Sequence, residues 1–224
     1  MNLEKTMKKD LDYKVIIDTG LIAIVRFESS KNLVSVAKAL HDGGVRVLEF
    51  TMTTPNALDV LRESKKVLND DTLIGAGTIL DSETARSAIL AGADFIVSPT
   101  FDRAVFHLCN RYSKICIPGV MTPTEIINAW QEGADLLKIF PIDIIGGPRY
   151  IKALKAPFPN IAMIPVGGVS LENIPLYFEA GASAVAVGSN LVNNDLVKEN
   201  EFDKLVELAS RYVKTISLVK SKTP

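Results

Sequence analysis

Short apolar runs recur along the chain, and most are followed by a stretch in which apolar positions return every three or four residues. The runs at 21–27, 45–52, 73–79, 95–100, 115–120, 136–141, 161–168 and 184–191 read as buried strands. A strand covered on both faces is apolar throughout rather than strictly alternating. The stretches between them, such as 33–41, 55–68 and 122–131, read as amphipathic helices with one apolar stripe. Four phrases share one design: Gly43-Gly-Val-Arg-Val-Leu-Glu49, Ala91-Gly-Ala-Asp-Phe-Ile-Val97, Glu132-Gly-Ala-Asp-Leu-Leu-Lys138 and Ala180-Gly-Ala-Ser-Ala-Val-Ala186. In each, a glycine ends a helix and the chain then enters a strand. Gly44, Gly92, Gly133 and Gly181 are 41 to 48 residues apart. A βα unit needs about half that length, so another unit fits between successive phrases.

Eight strands, each followed by a helix, predict an α/β chain closed as a (β/α)₈ TIM barrel, one domain over 1–224. A doubly wound open sheet is the competing arrangement, but its edge strands are expected to be less apolar. Residues 1–18 precede the first strand and are expected to form an extension whose helix plugs the N-terminal end of the barrel.

Polar residues interrupt this pattern at one end of the strands. The endings carry Arg26, Glu49 with Thr51, Thr78, Ser98-Pro-Thr100, Pro118-Gly119, Lys138, Val166-Gly-Gly168 and Gly188-Ser189, whereas the beginnings are mostly Ile, Val, Leu and Ala. Barrel enzymes place their chemistry at the C-terminal ends of the strands. Lys138 stands in an otherwise apolar segment; burial there lowers an ammonium pKa and yields a neutral amine able to condense with a carbonyl. The alternative is a strand-end lysine that snorkels to solvent. Period-two alternation puts Glu49 on the face of Val45, Val47 and Thr51, opposite Leu48 and Phe50. If that face points inward, the carboxyl enters the barrel mouth, as an acid/base or as a counter-ion of Lys138 or Arg26. Arg26 suits a substrate carboxylate or a structural ion pair. Thr78 either serves the site or caps the next helix. The turn Gly167-Gly168, with Ser170 at an expected helix start, and the turn Gly188-Ser189 fall where many barrels hold phosphate on backbone N–H groups. Tight turns use the same residues without any ligand. Gly146-Gly147 either extends that anion site or forms a flexible loop.

Composition narrows the partners. A net charge of −1 gives no bulk field for nucleic acid or an anionic membrane. Hydrophobic residues make up 47%, enough for a large core and too many for global disorder. Cys109 and Cys116 make no disulfide framework and are expected as reduced, structural thiols. His41 and His107 have no partner in a ligand pattern, so no metal site is expected. Residues 1–14 lack the apolar core of a signal peptide, and no apolar run approaches the roughly 18 residues of a membrane span. A soluble, cytoplasmic protein is expected.

The segments Val47-Leu-Glu-Phe-Thr51, Gly75-Ala-Gly-Thr78, Ile96-Val-Ser-Pro99, Ile117-Pro-Gly119, Leu137-Lys-Ile-Phe-Pro141 and Val166-Gly-Gly168 come in a characteristic order and spacing. Together they resemble the 2-keto-3-deoxy-6-phosphogluconate (KDPG) / 4-hydroxy-2-oxoglutarate (KHG) aldolases, from the first strand to the last helix. The resemblance implies a class I aldolase, free of metal and of cofactor, commonly a homotrimer. Carried across by residue, it implies Lys138 as the Schiff-base lysine and Glu49 as the general acid/base. It also implies Thr78 on the pyruvyl carboxylate, Pro99 and Phe140 shaping the pocket, and Gly167, Gly168 and Ser189, with Gly188 beside it, on the substrate phosphate. Two positions depart from the pattern. Thr53 stands where some members carry a carboxylate-clamping arginine, a charge that Arg26 would then supply. Val166 stands where gluconate-type members carry threonine, as galactonate-type relatives do.

The reaction so implied is reversible cleavage of a 2-keto-3-deoxy-6-phospho sugar acid to pyruvate and glyceraldehyde 3-phosphate. The galactonate-derived epimer and unphosphorylated 4-hydroxy-2-oxoglutarate are alternative substrates. The residues alone also admit a phosphate-binding barrel isomerase or synthase in which Lys138 and Glu49 act only as acid and base. A non-catalytic barrel that binds a sugar phosphate is a third class, and the grouping of Arg26, Glu49 and Lys138 speaks against it.

Overall fold

The computed structural model describes residues 3–222; residues 1, 2, 223 and 224, at the ends of the expected domain and extension, lie outside the described residues. In chain order the elements are α1 (Leu3–Thr19), β1 (Leu21–Val25), α2 (Leu33–Asp42), β2 (Val47–Thr51), α3 (Ala57–Val67), β3 (Leu73–Gly77) and α4 (Ser82–Leu90). There follow β4 (Phe95–Val97), α5 (Arg103–Arg111), β5 (Ile115–Ile117), β6 (Gly119–Val120), α6 (Pro123–Gln131), β7 (Leu136–Ile139) and α7 (Pro148–Lys155). The chain closes with β8 (Ala162–Pro165), α8 (Ile174–Glu179), β9 (Val185–Val187), α9 (Asn194–Lys198) and α10 (Phe202–Lys220). All eight expected strands are present. The fifth is divided into β5 and β6 at Pro118, which has no N–H to give to a ladder.

Every strand pair is parallel. Six strands run in the order β5-β4-β3-β2-β1-β9, and three in the order β6-β7-β8. The chain itself joins the two arcs at Pro118. On the other side the Ser183 N–H donates to the Met163 carbonyl at 2.9 Å, and Val166 bridges Ala186 in parallel. The result is a closed (β/α)₈ barrel.

Alternation sorts the core into two shells. Ile22, Ile24, Val47, Leu73, Phe95, Ile115, Leu136, Ile164 and Ala184 belong to an interior cluster. Leu48, Phe50, Ile74 and Leu137 face outward into the larger layer under the helices. Val45, expected on the same face as Glu49, belongs to that outer layer, because it precedes the strand and escapes its alternation.

The repeated phrases end helices as expected. Gly44, Gly92, Gly133 and Gly181 all take φ between 94° and 107°. In each, the next residue donates its N–H back across the last turn: Val45 to Leu40, Ala93 to Ala88, Ala134 to Ala129 and Ala182 to Tyr177, at 3.0–3.1 Å. A capping box opens α6: Thr122 Oγ1 accepts from the Glu125 N–H, while Glu125 Oε2 accepts from the Thr122 N–H. Helix α1 sends Ile16 into the interior cluster, where it meets the first layer of strand residues. Lys8 pairs with Asp94 at 3.5 Å and Lys9 with Asp135 at 3.2 Å, so charge as well as apolar burial fixes this helix to the barrel.

Candidate active site

Lys138 lies in the middle of β7, in register with Gly119 of β6 and Ile164 of β8, and is 5% exposed. Among the described residues its ammonium has no hydrogen bond and no carboxylate within 4 Å; it lies over the Phe140 ring, 4.8 Å from Nζ to the centroid. Burial draws its pKa below the usual lysine value. The charge of Glu49 opposes that shift, and the charge of Arg26 adds to it. A larger share of neutral amine follows at neutral pH, the form that attacks a carbonyl.

Glu49 sits across the barrel on β2, opposite Ile24 and Gly75, and is 2% exposed. Burial pushes its carboxyl above the usual carboxylate range, while Lys138 and Arg26 pull it back. A carboxyl raised in this way holds its proton more readily than an exposed one and so suits proton transfer in either direction. Room for it comes from the neighbouring strand. A methyl on Gly77 would overlap the Glu49 carboxylate, so the absence of a side chain there determines where that group can lie. Gly75 makes space in the same manner for the Phe95 ring, and Gly119 for the Pro99 carbonyl.

Thr78 follows β3 with φ 59°, a left-handed conformation that a β-branched residue adopts at a cost of about 1–3 kcal/mol. It does not cap the next helix; Asp81 does, accepting from the Thr84 N–H at 2.6 Å. Instead Thr78 Oγ1 meets Arg26, which donates a long hydrogen bond of 3.4 Å from an exposed position at the end of β1.

A cavity of about 430 Å³ gathers Arg26, Lys138, Phe140, Val166, Gly167, Gly168, Gly188 and Ser189. Glu49 and Thr78 adjoin this space without lining it, the first buried within electrostatic reach of Lys138, the second through Arg26. Pro99 does not reach it. It lines a separate hollow of about 550 Å³ that also touches Phe140, so the phenyl ring stands between Pro99 and the lysine side.

The glycine turns differ from expectation in detail. Helix α8 starts at Ile174, not at Ser170; the Ser170 N–H is held by Asn173 Oδ1 at 2.9 Å, and Asn173 Nδ2 donates to the Gly168 carbonyl at 2.9 Å. The asparagine thus shapes the turn that an early helix was expected to shape. Gly146 and Gly147 lie outside the cavity lining and form a hydrogen-bonded turn into α7, in which the Gly147 N–H donates to Ile142. Asn190 and Asn194 do line the cavity and were not expected there. Asn190 Nδ2 donates to the Val169 carbonyl at 2.9 Å and ties the last two loops together. The polar run after Gly188 was the only available signal for them.

A barrel mouth with a desolvated lysine and a raised carboxyl admits more than one chemistry, and the relatives of this chain decide the class: it is an aldolase, a lyase. Residues 14–208 match the family described as KDPG and KHG aldolase, and the chain belongs to that family. It is 34% identical to the 2-dehydro-3-deoxy-phosphogluconate aldolase of Pseudoalteromonas atlantica, over 86% of this chain and 89% of that one. It is similar to the solved native KDPGal structure at 31% identity and a TM-score of 0.82, covering 90% of this chain and 96% of that chain. It is also similar, at 28% identity and a TM-score of 0.80, to the KDPG aldolase from Legionella pneumophila with pyruvate captured as a covalent carbinolamine intermediate. That match covers 88% of this chain and 95% of the other. No helix among the described residues is long and apolar enough to cross a membrane.

Proposed function

We propose that this aldolase cleaves a 2-keto-3-deoxy-6-phospho sugar acid to pyruvate and glyceraldehyde 3-phosphate through an imine on Lys138. The supporting observation is a buried lysine and a buried glutamate with opposed pKa shifts at one barrel mouth. Neutral Lys138 attacks the C2 ketone, and loss of water leaves a protonated imine that draws electrons from the C3–C4 bond. Glu49, through a water, removes the C4 hydroxyl proton as that bond breaks. The enamine is then protonated at C3 and hydrolysed to pyruvate. Arg26 and Thr78 hold the carboxylate in this reading, Phe140 and, behind it, Pro99 shape the pocket, and Gly167, Gly168, Gly188 and Ser189 receive the phosphate.

The test is Glu49→Gln. Turnover should fall by about 10²-fold or more, the scale of losing a positioned base, while borohydride reduction with pyruvate still marks the protein. The sign of the accompanying pH effect is fixed. Glu49 raises the Lys138 pKa, so its removal lowers that pKa further, and the acid limb of adduct formation should move to lower pH. A limb that moved upward, or a near-normal turnover, would reduce Glu49 to a bystander.

Substrate configuration rests on Val166, which lines the cavity and is 6% exposed. A methyl stands where a hydroxyl would bond a substrate hydroxyl, a contact usually worth about 0.5–1.5 kcal/mol. Discrimination between the C4 epimers is therefore relaxed and tilts toward the galactonate-derived form. Val166→Thr should shift the ratio of the two kcat/KM values several-fold toward the gluconate form; an unchanged ratio removes Val166 from the selection.

The same reading gives a homotrimer in a reducing, cytoplasmic setting. Exposed Leu80, Leu90 and Trp130 offer apolar surface for self-association, and Cys109 and Cys116 are buried, unbridged thiols.

A further inference from the structure

A second hollow, of about 680 Å³, opens between the loop after β1 and helix α9. Arg26 and Asn194 line both this hollow and the catalytic cavity, so these two side chains are all that the two spaces are shown to share as a wall. Their charges differ in use. The cations lining the cavity are Arg26 and Lys138, both already committed to the reacting end of the substrate. The hollow adds Lys31 and Lys198 against a single carboxylate, Glu28, and sets them beside the apolar faces of Phe27 and Val197. Asn32 Nδ2 donates to Asn200 Oδ1 at 2.6 Å, fastening the β1 loop to the segment after α9 so that the hollow is formed in advance of any ligand. A space with an apolar wall, neutral hydrogen-bonding groups and two ammonium groups of its own suits a polyhydroxylated chain ending in an anion.

Resting on the aldolase reading, we propose that this hollow is an acceptor subsite for phosphorylated aldehydes longer than three carbons. Pyruvate condenses with Lys138, losing water, and the imine loses a methyl proton to give the enamine. The enamine carbon bonds to the aldehyde carbon, whose oxygen takes up a proton and becomes the C4 hydroxyl. Water hydrolyses the imine, freeing the Lys138 amine and a lengthened 4-hydroxy-2-keto acid. Net, pyruvate and the aldehyde combine with nothing left over. A three-carbon acceptor keeps its phosphate at the glycine turns, whereas a five-carbon acceptor passes Arg26 and lays its phosphate between Lys31 and Lys198.

The experiment compares condensation of pyruvate with glyceraldehyde 3-phosphate and with ribose 5-phosphate, and reads the ratio of the two kcat/KM values. The wild-type protein should use both. Reversing both charges, Lys31→Glu with Lys198→Glu, should lower the five-carbon to three-carbon ratio by about tenfold, the scale of one lost charge-assisted contact. The paired alanine variant should lower it less. A wild-type protein that condenses the three-carbon acceptor and ignores the five-carbon one overturns the subsite, as does a ratio unchanged in both variants. Failure of wild type to form a reducible adduct with pyruvate overturns the aldolase reading itself, and the subsite with it.

Discussion

Lys138→Arg should abolish the borohydride-stable pyruvate adduct and lower aldol turnover by about 10⁴-fold or more, the scale of removing a covalent nucleophile. A guanidinium stays charged at any working pH and forms no imine. Lys138→Met, closer in shape and without charge, should lose the adduct equally, which separates the chemistry from any strain of fitting arginine. Low pKa alone does not single out Lys138, since burial also draws down Lys114, Lys155 and Lys220. Lys155, however, donates to the carbonyls of Pro159 and Ile161, and Lys220 to that of Ile17. Lys114 feels Asp94 and Asp12, toward the end where α1 packs. Among the described residues only Lys138 combines depressed basicity with an amine free of hydrogen bonds on a cavity large enough for a keto acid. Peptide mapping of the reduced adduct checks this directly, and an adduct on any other lysine refutes it.

Gly77→Ala should cost about 10²-fold or more in turnover without touching a reacting atom. The new methyl would occupy the volume of the Glu49 carboxylate. Gly77 does not take a left-handed φ, so the strand itself accepts alanine and the side chain opposite must move. Stability should fall by about 1–3 kcal/mol, the usual range for overpacking. Gly75→Ala is the matched control. It intrudes on the Phe95 ring, deeper in the barrel, and should lower stability by a similar amount with a much smaller loss of turnover. Equal losses of turnover in the two variants would mean that Gly77 acts only through packing.

Most of the barrel was legible because its signals are local. A strand buried on both faces must be apolar, and a helix that ends before a strand needs the left-handed turn that Gly44, Gly92, Gly133 and Gly181 take. Of the residues that line the mouth, Arg26, Lys138, Gly167, Gly168, Gly188 and Ser189 were legible for a related reason, since polar or glycine positions at strand ends have few other uses in this architecture, whereas Phe140 and the meaning of Val166 came from the family resemblance. Depth and lateral neighbours were not. Alternation says which face Glu49 occupies, but not that Gly77, on the adjacent strand, leaves the space for its carboxylate. It also cannot tell that Phe140 stands between Pro99 and the cavity. Asn173, Asn190 and Asn194 escaped because loop asparagines act through partners several residues away, and short loops carry no period to read.

The division of the barrel at Pro118 sorts the reacting groups into two sets. Glu49, Arg26 and Thr78 are mounted on the six-stranded arc, while Lys138 and the turn Gly167-Gly168 ride on the three-stranded one. Lys138 and Glu49 thus stand on opposite sides of that division. A substrate that bonds to Lys138 while its carboxylate meets Arg26 and Thr78 would therefore tie the two arcs together across the mouth, as the strand ladders do within each arc.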